Sequence, residues 1–225
     1  MPTDPQALPL SSRSEAAGPA SLHERPITLP EGTFDAILFD CDGTLVESAP
    51  AWHLAICTAL EGHSAPMPQD WYYERLGLSP AGLMDAYEAE IGPLNIPRQD
   101  FFHRCVTGYK DAAHALEEVT IVGDVARAWH GKVPMAVVTN AQRPAVEGAL
   151  AATGLRPLFQ DVVSVEDVTH GKPAPDIYLK AAERLGIEPH RCLVLEDSHE
   201  GLLAAHRAGM RAIDIRQYWT PRWKR

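Results

Sequence analysis

Two carboxylates one residue apart, Asp40 and Asp42, follow the apolar run Phe34–Phe39 and precede Gly43 and Thr44. The run has the length and the aromatic and β-branched content of a buried strand. Gly43 lets the chain turn where that strand stops, so both carboxylates are expected at its carboxyl end, where open α/β sheets bind ligands. Carboxylates this close repel each other and stay ionised comfortably when they share a cation. A hard ion such as Mg²⁺ prefers carboxylate and carbonyl oxygens and usually binds phosphate as well. The local chemistry is therefore that of a metal-assisted phosphate site. A lone D-x-D-G describes a polar turn equally well, so the weight falls on what stands at the other strand ends.

Three further polar groups stand there. The apolar run Met135–Val138 ends in Thr139-Asn140, a hydroxyl followed by the backbone N–H groups of an opening helix, which cradle phosphate oxygens well. Taken alone, a threonine in that position is more often a helix cap. Next comes Gly171-Lys172-Pro173-Ala174-Pro175-Asp176, where two prolines stiffen the loop and hold the Lys172 ammonium as a compact positive charge. A phosphoryl group under attack, and the aspartate attacking it, both need such neutralisation. The run Cys192–Leu195 ends in Glu196-Asp197-Ser198. This second acidic pair would be unfavourable beside Asp40 and Asp42 unless a divalent ion lay between them.

The elements that must position these groups read as alternating strands and helices. After Val46 the pattern turns helical over Ala51–Leu60, and Tyr72–Leu76, Gly82–Ile91 and Arg98–Ala113 continue it between Gly and Pro breaks, with no strand in between. The second half then alternates. Helices are expected at Val122–His130, Ala141–Thr153, Asp176–Leu185 and His199–Ala208, and strands at Met135–Val138, Val162–Ser164, Cys192–Leu195 and Ala212–Ile215. Unbroken apolar strands separated by helices imply a parallel sheet covered on both faces. The expected fold is a doubly wound α/β, Rossmann-like core built from 34–47 and 114–225, with a small all-helical cap inserted at 48–113. Residues 1–33, rich in Pro, Ser, Ala and Glu without periodicity, are expected to form a flexible tail.

Composition narrows the partners. A formal net charge of −10 argues against a general nucleic-acid binder, which needs a basic face. No apolar run approaches the ~20 residues of a membrane span, and Met1–Pro30 lacks the apolar stretch of a signal peptide. The four cysteines, Cys41, Cys57, Cys105 and Cys192, are scattered without metal-ligand spacing and suit a reducing, cytoplasmic compartment.

In this order Asp40-x-Asp42-Gly-Thr, Thr139, Gly-Lys172-Pro and Glu196-Asp197 match all four motifs of the haloacid dehalogenase-like hydrolases, and the chain resembles that family from Phe34 to about Ile215. The resemblance implies that Asp40 is the nucleophile and Asp42 the general acid/base, that Thr139 binds the transferring phosphoryl group, and that Lys172 holds phosphate and nucleophile together. It also implies that Glu196 and Asp197 ligate Mg²⁺ with Asp40 and the Asp42 backbone carbonyl. Asn140 joins the phosphate cradle. The substrate expected is a small phosphorylated metabolite. Within the family the chain is similar to the β-phosphoglucomutase-like branch and to its phosphatases of fructose 1-phosphate and 6-phosphogluconate. Mutases of that branch carry a cap histidine twelve residues after the nucleophile; here Trp52 stands there, with His53 next to it. They also carry a cap Gly-x-Ser-Arg that grips a second phosphate, whereas Gly77-Leu78-Ser79 is followed here by Pro80. Trp52, His53 and Arg75 are the candidate specificity residues of the cap, and Arg75 could supply the missing grip. The expected activity is thus phosphatase, with sugar phosphomutase and non-catalytic scaffold as alternatives.

Overall fold

The structure is a computed structural model that describes residues 25–30, 32–76 and 78–222. Five parallel strands form its centre: β1 (Ala36–Phe39), β4 (Met135–Val138), β5 (Asp161–Val163), β6 (Cys192–Glu196) and β7 (Arg211–Asp214), in the spatial order β5-β4-β1-β6-β7. Successive side chains of a strand point to opposite faces, and the sheet sorts its residues accordingly. Ile37, Phe39, Met135, Val137, Val162, Leu193 and Leu195 pack on one side with Val122, Val125 and Ala126 of α5 (Thr120–Trp129) and Val146, Ala149 and Leu150 of α6 (Arg143–Ala152). Ala36, Leu38, Ala136, Val138, Val163 and Val194 pack on the other with Ile177, Tyr178 and Ala181 of α7 (Asp176–Leu185) and Ala204 and Ala205 of α8 (His199–Arg207). A strand buried on both faces must be apolar at every position, which is why these segments read as continuous apolar runs. The layering agrees with the doubly wound α/β expectation.

Register places the polar strand ends side by side. Phe39 lies opposite Val137 of β4 and Leu195 of β6, so the residues that follow (Asp40, Thr139, and Glu196-Asp197) emerge at one edge of three adjacent strands.

Helices α1 (Ala49–Leu60), α2 (Gln69–Tyr73), α3 (Pro80–Glu90) and α4 (Arg98–Asp111) intervene between β1 and the rest of the sheet. They have their own apolar cluster, with Ile56, Leu60, Met67, Met84, Tyr87 and Phe101 at its centre. The chain enters and leaves this segment through strands absent from the sequence reading: β2 (Val46–Glu47) pairs antiparallel with β3 (Glu117–Glu118). Two-residue strands are too short for any periodic signal.

One other expectation changes. Of the segment read as a flexible tail, 1–24 lies outside the described residues, while Leu29 is buried in the core and the Arg25 backbone N–H donates to the Tyr218 carbonyl. An apolar side chain close to the first strand gains more by burial than the short segment loses in freedom. At the other end, Trp219 is buried in the same cluster. Arg222 donates its backbone N–H to Glu47 Oε1 at 2.9 Å and pairs its guanidinium with Glu117 at 2.6 Å, so it touches both strands of the ribbon.

Candidate active site

Asp40 leaves β1 with its backbone N–H bonded to the Leu195 carbonyl at 3.0 Å, which fixes the root of its side chain. The chain then curls tightly: the Leu45 and Val46 N–H groups both return to the Cys41 carbonyl, and Gly43 donates to the Val46 carbonyl. Gly43 has φ +88°, and a Cβ there would overlap the carboxylate of Asp197. Glycine is therefore needed both for the turn and for the approach of a carboxylate from β6. Gly201, in the first turn of α8, gives Glu196 the same clearance.

Lys172 joins the two acidic groups. Its Nζ donates to Asp40 Oδ1 at 2.6 Å and to Glu196 Oε2 at 2.7 Å, and its side chain is almost fully buried. Burial alone would favour the neutral amine, but Asp40 and Glu196 outweigh it and hold Lys172 above the ordinary lysine range. The loop that carries it is pinned by Asn140, whose carboxamide oxygen accepts from the Lys172 backbone N–H at 2.8 Å and whose amide donates to the Lys172 carbonyl at 3.1 Å. The Asn140 side chain thus acts on the lysine loop, and only its backbone N–H is left to serve the phosphate cradle for which the sequence singled it out. Thr139, buried, accepts from the Ala141 N–H at 3.0 Å, which leaves its own O–H to donate.

Glu196 is saturated with donors. Its Oε2 also accepts from the Tyr178 hydroxyl at 2.7 Å, and its Oε1 accepts from the Ser198 backbone N–H at 2.9 Å and the Ser198 hydroxyl at 2.8 Å. These bonds, with Lys172, overcome burial and keep Glu196 below the usual glutamate range. The negative charge fixed there acts on its neighbours. Burial and then the Glu196 charge raise Asp40 well above the ordinary carboxylate range and bring Asp197 up to about 7. Burial likewise raises Asp42, against hydrogen bonds from the Ser48 and Trp52 side chains. The sequence gives Tyr178 and Ser48 no role at the site and names Ser198 only as the residue after the second acidic pair. Nothing in a helical pattern tells a buried tyrosine that merely fills space from one whose hydroxyl has a charged partner.

One carboxylate oxygen each from Asp40, Glu196 and Asp197 lie within 4.8 Å of one another. An all-oxygen donor set, two of whose members are raised by burial and then by the Glu196 charge, suits a hard divalent cation. Thr44, from the turn, donates to Asp197 Oδ1 at 3.0 Å and fixes its direction.

Of the three cap candidates, Trp52 reaches the site through Asp42. His53 Nε2 lies 2.9 Å from the Met67 carbonyl, within the helical segment. Arg75 pairs with Glu90 at 2.6 Å and lies 4.2 Å over the Trp71 ring. Both find nearer partners in their own helical layer, where an acidic side chain and an aromatic face already satisfy the guanidinium.

Residues 34–209 match the haloacid dehalogenase-like hydrolase family. The chain is 32% identical to the fructose-1-phosphate phosphatase YqaB of Escherichia coli (strain K12), an alignment covering 81% of this chain and 97% of that protein. The crystal structure of CbbY from Rhodobacter sphaeroides in complex with phosphate superimposes with a TM-score of 0.70 at 27% identity, covering 80% of this chain and 85% of that one. A putative β-phosphoglucomutase from Thermotoga maritima gives a TM-score of 0.66 at 28% identity, covering 80% and 84%.

Proposed function

This chain belongs to the haloacid dehalogenase-like hydrolases, and on that premise we propose that it is a Mg²⁺-dependent phosphatase that hydrolyses a small phosphorylated metabolite, a sugar phosphate, through an aspartyl-phosphate. The observation that carries this reading is the meeting of Asp40, Lys172 and the Glu196-Asp197 pair at one edge of the sheet, with Thr139 on the neighbouring strand. Helices α1–α4 serve as the cap.

Asp40 attacks phosphorus in line; the P–O bond to the sugar breaks as the P–O bond to Asp40 forms. Lys172, already in contact with Asp40, neutralises charge on nucleophile and phosphoryl group alike. Thr139 donates its hydroxyl to a phosphoryl oxygen. Asp42, raised by burial, starts protonated and gives its proton to the departing alkoxide. It then takes one from the water that attacks phosphorus, and the Asp40 carboxylate is regenerated as inorganic phosphate leaves. Asp40, Asp197 and the Asp42 backbone carbonyl would hold Mg²⁺, with Glu196 beside them. Bound there, the cation would supply neutralisation of the phosphoryl oxygens and offset the burial and the Glu196 charge that raise Asp40 and Asp197.

Hydrolysis is favoured over phosphoryl return by the cap. Pro80 offers no charge for a second phosphate, and Arg75 is engaged by Glu90 and Trp71. Without that grip a bisphosphate would not be retained and reoriented. A scaffold would not need all of Asp40, Asp42, Lys172 and Asp197, and all are present. Among the described residues all four cysteines are free and no helix is long and apolar enough to cross a membrane; the cytoplasmic location remains part of the proposal.

A phosphate-release assay over hexose and pentose phosphates, with and without Mg²⁺, tests the reading. Release that requires Mg²⁺ and falls by several orders of magnitude in Asp40→Asn is expected. Isomerised product without release would replace it with a mutase, and silence across the panel would favour a scaffold.

A further inference from the structure

Lys172 belongs to no strand or helix: it lies between β5 and α7, yet its ammonium meets Asp40 at 2.6 Å and Glu196 at 2.7 Å. Its side chain is 4% exposed, which leaves the stem no room to make up for a shifted backbone. The backbone therefore decides where the charge stands. A backbone N–H and C=O each call for a partner, and at Lys172 both find theirs in one side chain. The Asn140 carboxamide oxygen accepts from the N–H at 2.8 Å, and its NH₂ donates to the carbonyl at 3.1 Å. A carboxamide, with donor and acceptor side by side, does here what a neighbouring strand does for a residue in a sheet. Asn140 is itself held on both sides: the Thr139 N–H donates to the Val163 carbonyl at 3.0 Å, and the Val165 N–H to the Ala141 carbonyl at 3.4 Å. Gly171 completes the seat. It is not one of the glycines with positive φ, so no turn accounts for it, but a Cβ there would lie 2.5 Å from Asn140 Oδ1 and 3.2 Å from its Cγ.

We propose that Asn140 is a positioning residue: its carboxamide, admitted by Gly171, seats the Lys172 backbone so that the ammonium bridges Asp40 and Glu196. This rests on the phosphatase reading above and names a device within that site. Asn140 directly follows Thr139, so the strand end that offers a hydroxyl to the phosphoryl group also carries the seat of the lysine. One stiff junction, rather than the loop, then sets the separation of the two groups.

Two variants unseat the lysine by different routes. Asn140→Ala removes the amide and keeps the backbone N–H, while Gly171→Ala puts a methyl group where the amide oxygen lies. Each full-length protein is acetylated with N-hydroxysuccinimidyl acetate, and peptide mass spectrometry compares the rate at Lys172 with that at Lys180 of α7. The Lys172-to-Lys180 ratio is expected to rise about tenfold in both, the weight of two neutral hydrogen bonds in a local opening. In the Mg²⁺-loaded proteins kcat/KM for p-nitrophenyl phosphate is expected to fall roughly 10–100-fold, the scale on which a misplacement of about 1 Å is felt. The fall should lie mainly in kcat, since the charge that Lys172 neutralises grows in the transition state. The double variant should match Asn140→Ala, because the methyl group then meets no amide. An unchanged labelling ratio, a raised ratio beside unchanged kcat, or losses that multiply in the double variant would each overturn the proposal and leave the phosphatase reading intact. Should Asn140→Ala lose its native circular dichroism spectrum, Gly171→Ala carries the test alone and must move both readouts. No release of p-nitrophenol by the unmodified protein would overturn the phosphatase reading, and with it the catalytic half of this proposal; the labelling ratio would still decide the seat.

Discussion

Replacing Tyr178 by Phe removes one oxygen from the middle of the protein and leaves the ring that fills the space. Tyr178 is 0% exposed, and its hydroxyl donates to Glu196 Oε2 at 2.7 Å, the same oxygen that receives Lys172. The ring also lies 5.2 Å from the Lys172 ammonium, a contact that phenylalanine preserves. What is lost is a charge-assisted hydrogen bond, worth about 1.5–3 kcal/mol. A stability loss of about 2 kcal/mol follows, which for a chain of this size lowers the melting temperature by roughly 4–8 °C. Urea titration followed by circular dichroism should show a lower midpoint at an unchanged slope. Turnover should fall too, because Glu196 Oε2 is then left with Lys172 as its remaining donor and draws the ammonium away from Asp40. A double-mutant cycle isolates the charge: in a Glu196→Gln background the same change meets a neutral acceptor and should be milder by about 1 kcal/mol. A loss below about 0.5 kcal/mol, or the same loss in both backgrounds, would refute the idea that Tyr178 supports the ionised Glu196.

Two further changes probe the frame of the site. Asp167 caps the turn before the lysine loop; burial opposes its charge, but the Ser164 N–H, Arg184 and the Ser164 hydroxyl outweigh it and bring its pKa down to about 2. A carboxyl depressed in the folded state contributes stability above its unfolded pKa and loses it as pH falls through the folded value. Asp167→Asn should therefore cost about 2 kcal/mol at neutral pH, and the gap to the unmodified protein should close between roughly pH 4 and pH 2 in chemical denaturation. Gly201→Ala would drive a methyl group into the Glu196 carboxylate, which Lys172, Tyr178 and Ser198 hold in place. Overpacking of about 1–3 kcal/mol and a large fall in phosphate release are expected, and normal activity at normal stability would show that Glu196 has room to move.

The catalytic frame was legible because each of its members ends an apolar run or sits between a glycine and prolines. Asp40 and Thr139 gain their meaning from a two-faced strand that stays apolar until it stops, and Glu196 from standing as the last residue of such a strand. Met135–Val138 and Asp176–Leu185 coincide with the observed elements for the same reason: one has no polar position, the other opens after prolines and closes at Gly186, whose φ is +68°. What the sequence hides is whatever depends on a side chain's distant partner. Arg75 looked available for a phosphate, yet Glu90, fifteen residues away, takes it. Asn140 was marked for the phosphate cradle, and the sequence does not show that its amide closes on Lys172, thirty-two residues on, leaving the backbone N–H for that role. Tyr178 and Ser198 carry no signal beyond helix and cap, although both serve Glu196.

The β2–β3 ribbon gives the molecule a division of labour. All traffic between the sheet and the helical insertion passes through two short neighbouring strands, and each strand is tethered to Arg222 near the chain's far end. A rotation about such a paired crossing leaves every hydrogen bond among Asp40, Lys172 and Glu196 untouched, since those residues lie on the sheet side. Such a rotation would change the surroundings of Asp42, whose neighbours Ser48 and Trp52 lie beyond β2, and leave the groups on the sheet side where they are. Trimming the last few residues would loosen the pivot without altering a single catalytic group.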